Sequence, residues 1–228
     1  MEKIFHIPHS STYIPKKYRD EFLLSDIELD NEISIMCDTK TNEMIDHDKI
    51  VFPYSRILCD VERFNSEEEI MNRVGMGVLY TKTHDLKTLR VTPSKDIISL
   101  YDKHHKELNV LCKKKLETND EILFIDLHSF SNDALPYELN KEQKRPNICL
   151  GINERYNKKI IKKIITIVEN FNYTYSINEP FSGCLLPSEY MYDDRVHGVM
   201  IEINKLIYND EIKFKKIRDF LKCIEKEI

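Results

Sequence analysis

Short apolar runs alternate along the chain with longer segments in which apolar residues recur every three or four positions. Short runs bounded by turn residues predict buried strands, and the longer spacing predicts amphipathic helices. An alternation of strands and helices is typical of an α/β domain. We therefore expect an α/β fold, a single three-layer domain with a mainly parallel or mixed central sheet.

The predicted strands are short, and one of them stands out. Residues 122–127 are apolar at nearly every position, which is typical of a strand that is buried on both faces of a parallel sheet. We expect this strand at the centre of the sheet. The other predicted strands span residues 4–7, 49–53, 56–62, 147–152, 173–177 and 199–203.

The helical spacing occurs in four parts of the chain. Residues 25–47 predict two helical pieces that meet near Asp38, whose carboxylate is placed to cap the second piece. The helix that begins at Ser94 has a strong period, and its lysines near the end suit the negative pole of the helix dipole. Residues 65–93 lack a long period, and connections of this length are often functional. Two more predicted helices span residues 156–171 and 211–227.

Composition and charge narrow the class of protein. The 228 residues are 41% hydrophobic and 32% charged, which suits one globular domain over residues 1–228. The net charge of -5 provides no basic field, so we expect neither nucleic acid nor a membrane surface as a partner. We see no signal peptide, and no window approaches the ~18 apolar residues of a membrane span. The six cysteines form no CxxC pair and suit a reducing cytosol, so we expect a cytoplasmic protein.

Polar residues follow several of the predicted strands. In an open parallel sheet the ligand site lies beyond the carboxyl ends of the strands. His9 follows the first strand, and Asp126 and His128 end the central one, where alternation places both on one side with Leu127 opposite. A single histidine at a strand end is more often an ordinary core residue than a ligand. Together, however, His9, Asp38 and His128 form the ligand type of a catalytic zinc with one position left for water.

Glu202 lies between Ile201 and Ile203 in a predicted strand. A carboxylate inside an apolar strand is costly to desolvate unless a metal or hydrogen bonds compensate for it. On an edge strand, alternation would turn this side chain toward water instead. The apolar run that begins at Val199 indicates a buried strand and therefore favours a functional Glu202.

Seven motifs occur in a fixed order along the chain. They are PHSS (8–11), CDT (37–39), SRILCDVERF (55–64), the histidine pair 104–105, DLHS (126–129), PFSGCLLP (180–187) and HGVMIEIN (197–204). In this order the chain resembles the N-formylglutamate amidohydrolase family, a branch of the zinc carboxypeptidase and aspartoacylase-like hydrolases. The resemblance implies one metallohydrolase domain with a zinc-carboxypeptidase-like fold and one divalent metal, usually zinc. It also implies hydrolysis of the N-formyl or N-acyl amide of a small, acidic amino acid.

The resemblance assigns roles to the candidate metal residues. The related peptidases use a glutamate just after the first histidine as a metal ligand, but this chain has Thr12 at that position. Asp38 is therefore the preferred third ligand, and Asp60 is the alternative. Glu202 matches the strand glutamate that acts as general base. A metal lowers the pKa of bound water toward ~7, and a neighbouring carboxylate can take its proton. The implied metal ligands are His9, Asp38 and His128.

The resemblance also assigns substrate contacts. Because a guanidinium grips a carboxylate with two hydrogen bonds, Arg63 is the implied anchor for the substrate acid, and Arg56 polarises the scissile carbonyl. The alternative for either arginine is a structural ion pair with Asp60 or Glu62. The family commonly has Asn at the position of Glu62, and this added acid argues against formylglutamate itself as the substrate. Further implied substrate contacts are Ser129, Gly183 and His105, although His105 would equally well cover the surface of its helix.

Two other functions remain open at this point. A thiol hydrolase would use Cys184 as nucleophile and His197 as base, which requires a lowered thiol pKa and leaves Glu202 without a role. A binding module would keep the fold and the anion-binding arginines but lack turnover. Metal content and hydrolysis of N-acylated amino acids distinguish these alternatives. The sequence does not indicate the oligomeric state.

Overall fold

Within residues 1–138, 141 and 144–228, which a computed structural model of the protein describes, six strands form one mixed sheet. The strand order is β2-β1-β3-β6-β4-β5; β4 runs antiparallel to β6, and the other neighbours are parallel. This confirms the predicted α/β fold with a mixed sheet and β3 near its centre. The strands are β1 (Glu2–Ile7), β2 (Lys49–Val51), β3 (Ile122–Phe130), β4 (Ile148–Gly151), β5 (Tyr175–Ile177) and β6 (Val196–Asn204).

The helices begin where capping residues occur. Ser25 forms a capping box with Glu28, in which each side chain bonds the other residue's main-chain N–H. Asp210 accepts a hydrogen bond from the main chain of Lys213 and so starts the last helix at its predicted residue. No helix in the described residues is both long and apolar enough to cross a membrane. The helices are α1 (Asp26–Met36), α2 (Ile98–Leu116), α3 (Lys158–Asn170) and α4 (Glu211–Glu227).

Helices cover both faces of the sheet. Side chains alternate along β3, so Ile125 and Leu127 pack with α3 and α4, whereas Phe124 packs with α2. Asp126 and His128 therefore share one side, as the alternation predicted, and this is the side of α2. A second core lies beside the sheet, where α1 packs against the connections after β2.

The predicted strand at residues 56–62 is wrong, because this segment forms turns. The main-chain N–H groups of Leu58 and Cys59 donate to the carbonyl of Ser55 at 2.9 and 3.3 Å. The buried guanidinium of Arg90 donates to the carbonyl oxygens of Ile57 and Leu58, at 3.4 and 2.8 Å. An apolar run can thus be buried without a neighbouring strand, since an arginine satisfies its carbonyl groups.

Asp38 lies between two helical pieces, as predicted, but its carboxylate does not cap the second one. After α1 ends, a short 3-10 helix spans Thr41–Glu43, and the residue before it is Lys40, which makes no side-chain cap. The main-chain carbonyl of Asp38 accepts from Thr41 instead, which leaves the carboxylate free to turn toward the sheet. The amine of Lys205 donates to the carbonyls of Ile35 and Cys37, at 3.2 and 2.8 Å, and fixes the end of α1 just before Asp38.

The connection over residues 65–93 contains no strand longer than an isolated bridge between Lys82 and Thr88, as its lack of period predicted. One 3-10 helix, Ile70–Val74, lies within it. Glu69 orders its start, because the carboxylate accepts hydrogen bonds from the main-chain N–H groups of Phe64 and Met71 at 2.8 and 2.9 Å. This connection therefore presents a fixed wall to the site described next.

Candidate metal centre and active-site cavity

Three side chains from distant parts of the chain converge at the carboxyl ends of β1 and β3. His9 follows β1, Asp38 follows α1, and His128 lies near the end of β3. The Nδ1 atoms of the two histidines are 3.2 Å apart. Asp38 Oδ2 lies 3.6 Å from Nδ1 of His9 and 3.2 Å from Nδ1 of His128. All three residues are buried, so the structure brings together the set selected from the sequence.

The spacing of these donor atoms fits a zinc ion. With bonds of ~2.0–2.1 Å, tetrahedral zinc holds its ligand atoms about 3.3–3.4 Å apart. The three donor separations here are 3.2, 3.2 and 3.6 Å. Burial raises the pKa of Asp38, but the close contacts with His128 and His9 outweigh it and hold that pKa well below its usual range. The carboxylate is therefore ionised, as a metal ligand must be.

Each histidine has a carboxylate on its other nitrogen. His9 Nε2 forms a hydrogen bond of 2.8 Å with Asp60 Oδ1, and His128 Nε2 lies 3.0 Å from Asp126 Oδ1 without the alignment of a hydrogen bond. Carboxylates in this position orient metal-binding imidazoles and direct their free nitrogen at the ion. The geometry also separates the two candidates for the third ligand: Asp38 faces the shared point between the Nδ1 atoms, and Asp60 lies on the far side of the His9 ring.

Asp60 also contacts Arg56 and Arg63, the two arginines to which the resemblance assigned substrate contacts. Arg56 Nη2 donates to Asp60 Oδ2 at 2.9 Å, and Arg63 Nη2 lies 3.6 Å from the same oxygen. The hydroxyl of Tyr80 donates to Oδ2 at 2.5 Å. Burial raises the pKa of Asp60, but Arg63, Arg56 and His9 keep it well below its usual range. The ion-pair alternative for the arginines is thus realised, although both side chains also line the cavity in front of the histidines.

A cavity of about 490 Å³ opens in front of this centre. Its outer wall is apolar, with Phe64, Ile70 and Met71 from the connection after β2 and Phe130 and Phe181 opposite them. The sequence indicated a functional role for this long connection, and the structure places it at the cavity. The candidate site residues that line the cavity are His9, Asp38, Arg56, Arg63, His128, Ser129, Gly183 and Glu202.

Glu202 lies in β6 directly opposite His128 in β3, as Cα partners of the parallel pair. The residue is only 7% exposed, so the alternative in which it turns to water does not hold. Its Oε2 has no hydrogen-bond partner among the described residues. Burial raises the pKa of Glu202 to about 8. A buried carboxylate with one unpaired oxygen at a cavity is suited to accept a proton.

Of the three further implied substrate contacts besides the arginines, Ser129 and Gly183 reach the cavity and His105 does not. Ser129 accepts a hydrogen bond from the hydroxyl of Tyr208 at 2.9 Å, and Gly183 forms part of the wall. His105 lies outside the cavity lining: its Nε2 donates to the main-chain oxygen of Val61 at 3.0 Å. In this structure the ring supports the turn that carries Asp60, and a contact of His105 with substrate stays a prediction.

The two residues of the thiol alternative lie on opposite faces of the sheet. Cys184 lines the cavity and packs in the core on the α2 side. His197 pairs in register with Leu123, which packs with α3 and α4, and its Nε2 lies 3.4 Å from Glu121. Burial raises the pKa of the Cys184 thiol well above its usual range, the opposite of what a nucleophilic cysteine needs.

Lys205 is a site residue that the sequence analysis missed. It lines the cavity, and its amine binds the main chain on both sides of Met36, two residues before Asp38. The signal was present in the sequence, because Lys205 is a polar residue two positions after the predicted strand at 199–203. The partners of Lys205 could not be predicted, since Ile35 and Cys37 lie 170 and 168 residues away along the chain.

The chain is similar to known proteins over most of its length. A model of the N-formylglutamate amidohydrolase family matches residues 1–209. The crystal structure of N-formylglutamate amidohydrolase from Ralstonia eutropha JMP134 aligns with a TM-score of 0.80 at 16% identity, covering 99% of this chain and 91% of that chain. The structure of a gene product from Agrobacterium tumefaciens aligns with a TM-score of 0.71 at 15% identity, covering 99% and 89%. At these identities the two structures show the shared fold alone. No curated protein sequence matches the chain.

Proposed function

Because the chain belongs to the N-formylglutamate amidohydrolase family, we propose that it is a zinc-dependent hydrolase of the N-formyl or N-acyl amide of a small amino acid. The observation that carries this proposal is the triangle of donor atoms from His9, Asp38 and His128, with donor separations that suit zinc. The unpaired carboxylate oxygen of Glu202 at the same cavity adds the base that such a reaction needs.

The protein's own groups prepare the ligands for the ion. Asp60 and Asp126 lie against the Nε2 atoms of the two histidines and favour protons there, which leaves the Nδ1 lone pairs directed at the shared point. Zinc held there would polarise the amide carbonyl and make water a stronger acid. Lys205 keeps the end of α1 in place, so that Asp38 meets the two histidines.

Glu202 is the proposed general base. Its unpaired Oε2 would take a proton from the attacking water and pass it to the leaving amine, so one side chain serves both proton transfers. The two arginines would act on the other parts of the substrate. Arg56 Nη1 has only a long contact, 3.5 Å to Met36 O, and would therefore be free to hydrogen bond the scissile carbonyl.

The orientation of Glu62 supports an acidic substrate. Its carboxylate turns inward, with Oε1 3.2 Å from Nδ1 of His6, instead of lying beside the guanidinium of Arg63. Arg63 Nη1 donates to the main-chain oxygen of Glu62 at 3.1 Å, and the guanidinium is partly exposed at the cavity. The added acid that argued against an acidic substrate in the sequence lines the same cavity, but it pairs with the histidines and forms no ion pair with Arg63 in the described residues.

The pH dependence of the reaction follows from the environment of Glu202. Burial raises the pKa of Glu202 to about 8, and a base acts only when it is ionised. A nearby cation favours the ionised form, so the acid limb of the kcat profile is expected below pH 8 and above the ordinary carboxyl range near ~4.3. Activity should rise with pH through that interval. A rate that falls as pH rises through it would contradict the role of Glu202 as a base.

Replacing Arg63 with Met is expected to raise KM about 10- to 100-fold for an N-acylated acidic amino acid, because a charge-assisted hydrogen bond contributes roughly 1.5–3 kcal/mol. For an N-acylated neutral amino acid the change should be much smaller. The exposed Arg73 provides the matched control, as Arg73→Met. Zinc content is measured on each variant, because Arg63 also contacts Asp60 behind His9. An equal loss on both substrates would mean that Arg63 does not bind the acid.

The direct test of the function is hydrolysis by the purified, zinc-loaded chain. N-formyl and N-acetyl derivatives of acidic and neutral amino acids are supplied, and the released amine is quantified. We expect turnover that stops when a chelator removes the metal and returns when zinc is restored. A zinc-loaded protein that binds these compounds without releasing amine would instead be the binding module, and turnover without metal would exclude the mechanism.

A further inference from the structure

A second group of titratable side chains lies behind the candidate metal centre, on the α2 side of the sheet. His6 in β1 and Asp126 in β3 are Cα partners, and Glu62 reaches them from the turns after β2. His6 Nδ1 lies 3.0 Å from Asp126 Oδ1 and 3.2 Å from Glu62 Oε1. The exposed fractions of the side chains are 0% for His6 and Asp126 and 8% for Glu62. One imidazole and two carboxylates therefore lie together behind the cavity, and Glu62 alone of the three reaches its wall.

These polar atoms lack aligned hydrogen bonds although they are close in distance. Buried polar groups in folded proteins are nearly always hydrogen bonded, and an exception requires a physical reason such as a missing ion. In the part of the chain that the structure describes, four atoms of this group have no hydrogen-bond partner: His6 Nδ1, Glu62 Oε1, Asp126 Oδ1 and Asp126 Oδ2. All four belong to one cluster, so a single cation would satisfy them together.

The other nitrogen of His6 supports the same conclusion. His6 Nε2 lies 2.8 Å from Nε2 of His104 on α2, so one of the two nitrogens carries the shared proton. Burial keeps His104 in its neutral form, in which its Nε2 can accept a hydrogen bond. With the proton on His6 Nε2, the lone pair of His6 Nδ1 faces two carboxylates. That arrangement needs a cation at His6 Nδ1, which a second proton or a metal ion would supply.

We propose that His6, Glu62 and Asp126 form a second divalent-cation site, distinct from the one at His9, Asp38 and His128. The donor set of one imidazole nitrogen and two carboxylate oxygens suits zinc or manganese. His104 fixes the ring of His6, as partners of metal-binding histidines do. Asp126 lies between the two sites, because its Oδ1 is 3.0 Å from both His6 Nδ1 and His128 Nε2.

This second ion gives the inward orientation of Glu62 a physical cause. A cation on His6 and Asp126 would hold the Glu62 carboxylate in the core, away from the guanidinium of Arg63. The inference uses no residue of the proposed ligand triangle, and so it does not depend on the proposed function.

The test is zinc stoichiometry on the full chain. Wild type and variants are dialysed to equilibrium against ZnCl2, freed of loosely held metal, and analysed for zinc per chain by mass spectrometry of the elements. We expect about two ions in wild type, as in two-metal sites, and about one in Glu62→Gln, His6→Gln and His9→Ala. The double variant His9→Ala/Glu62→Gln should hold none. His197→Gln, which changes a histidine on the other face of the sheet, is the matched control and should keep both ions.

Each outcome decides between the two sites. One ion in wild type that is lost in His9→Ala and kept in Glu62→Gln and His6→Gln overturns the second site and leaves the proposed metal centre intact. One ion that is lost in Glu62→Gln and kept in His9→Ala supports the second site and removes the first. Absence of bound zinc in wild type overturns both. Circular dichroism checks that each variant is folded, and Glu62→Gln, which keeps the side-chain shape, carries the test if His6→Gln does not fold.

Discussion

Glu202→Gln is expected to lower kcat by about 10³-fold, within the range of roughly 10²–10⁴ that general acid and base groups contribute. The amide keeps the shape of the side chain but cannot take the proton of the attacking water. Because Glu202 lies opposite His128 on the neighbouring strand and is not one of the three converging donors, zinc content should remain that of wild type. Steady-state kinetics with an N-acylated amino acid and metal analysis of the same preparation measure the two effects.

The control for this change is the exposed Glu154, as Glu154→Gln, which removes a carboxylate that does not line the cavity and should keep wild-type kinetics. Two results would count against the assignment. Activity that survives in Glu202→Gln means that another group is the base. Loss of zinc together with loss of activity means that Glu202 is a metal ligand and not the general base.

His9→Ala should abolish both the ion at the ligand triangle and the activity. Two remaining donors hold zinc poorly, and the several kcal/mol of transition-state stabilisation that a metal supplies corresponds to a loss of about 10³-fold or more. The fold should persist, because Asp60 keeps its bonds to Arg56 and Tyr80 when the imidazole is removed. Zinc analysis, amide hydrolysis and thermal unfolding are compared with His47→Ala, a half-buried histidine that contacts Glu225 at the surface. Full activity in His9→Ala would exclude the proposed centre.

Much of the fold was predictable because local signals and tertiary packing agree. The last helix matches its predicted bounds at both ends, since Asp210 caps a strong apolar period that packs on the sheet. The predicted strand at 56–62 failed for a tertiary reason. The same apolar pattern is buried by α1 and the connection, and Arg90, distant in sequence, takes the place of a neighbouring strand.

The family, predicted from the order of the motifs, is confirmed by the family model. Which side chains meet was also predictable in part, because His9 and His128 follow or end neighbouring parallel strands. In the turns at residues 56–62, where no strand alternation applies, side-chain direction was not predictable. Asp60 and Glu62 are two residues apart, yet Asp60 faces His9 and Glu62 faces His6. The direction of each carboxylate depends on which histidine the fold brings near it.

The position of Asp60 limits how such a cavity can be redesigned. One carboxylate touches the imidazole of His9 and the guanidinium groups of Arg56 and Arg63. Replacing Arg56 or Arg63 to admit a new substrate therefore removes a positive charge beside Asp60, whose carboxylate contacts the proposed ligand His9. Engineers who seek altered selectivity would do better to vary the apolar outer wall, at Phe64, Ile70 or Met71, because these side chains carry no charge that acts on Asp60.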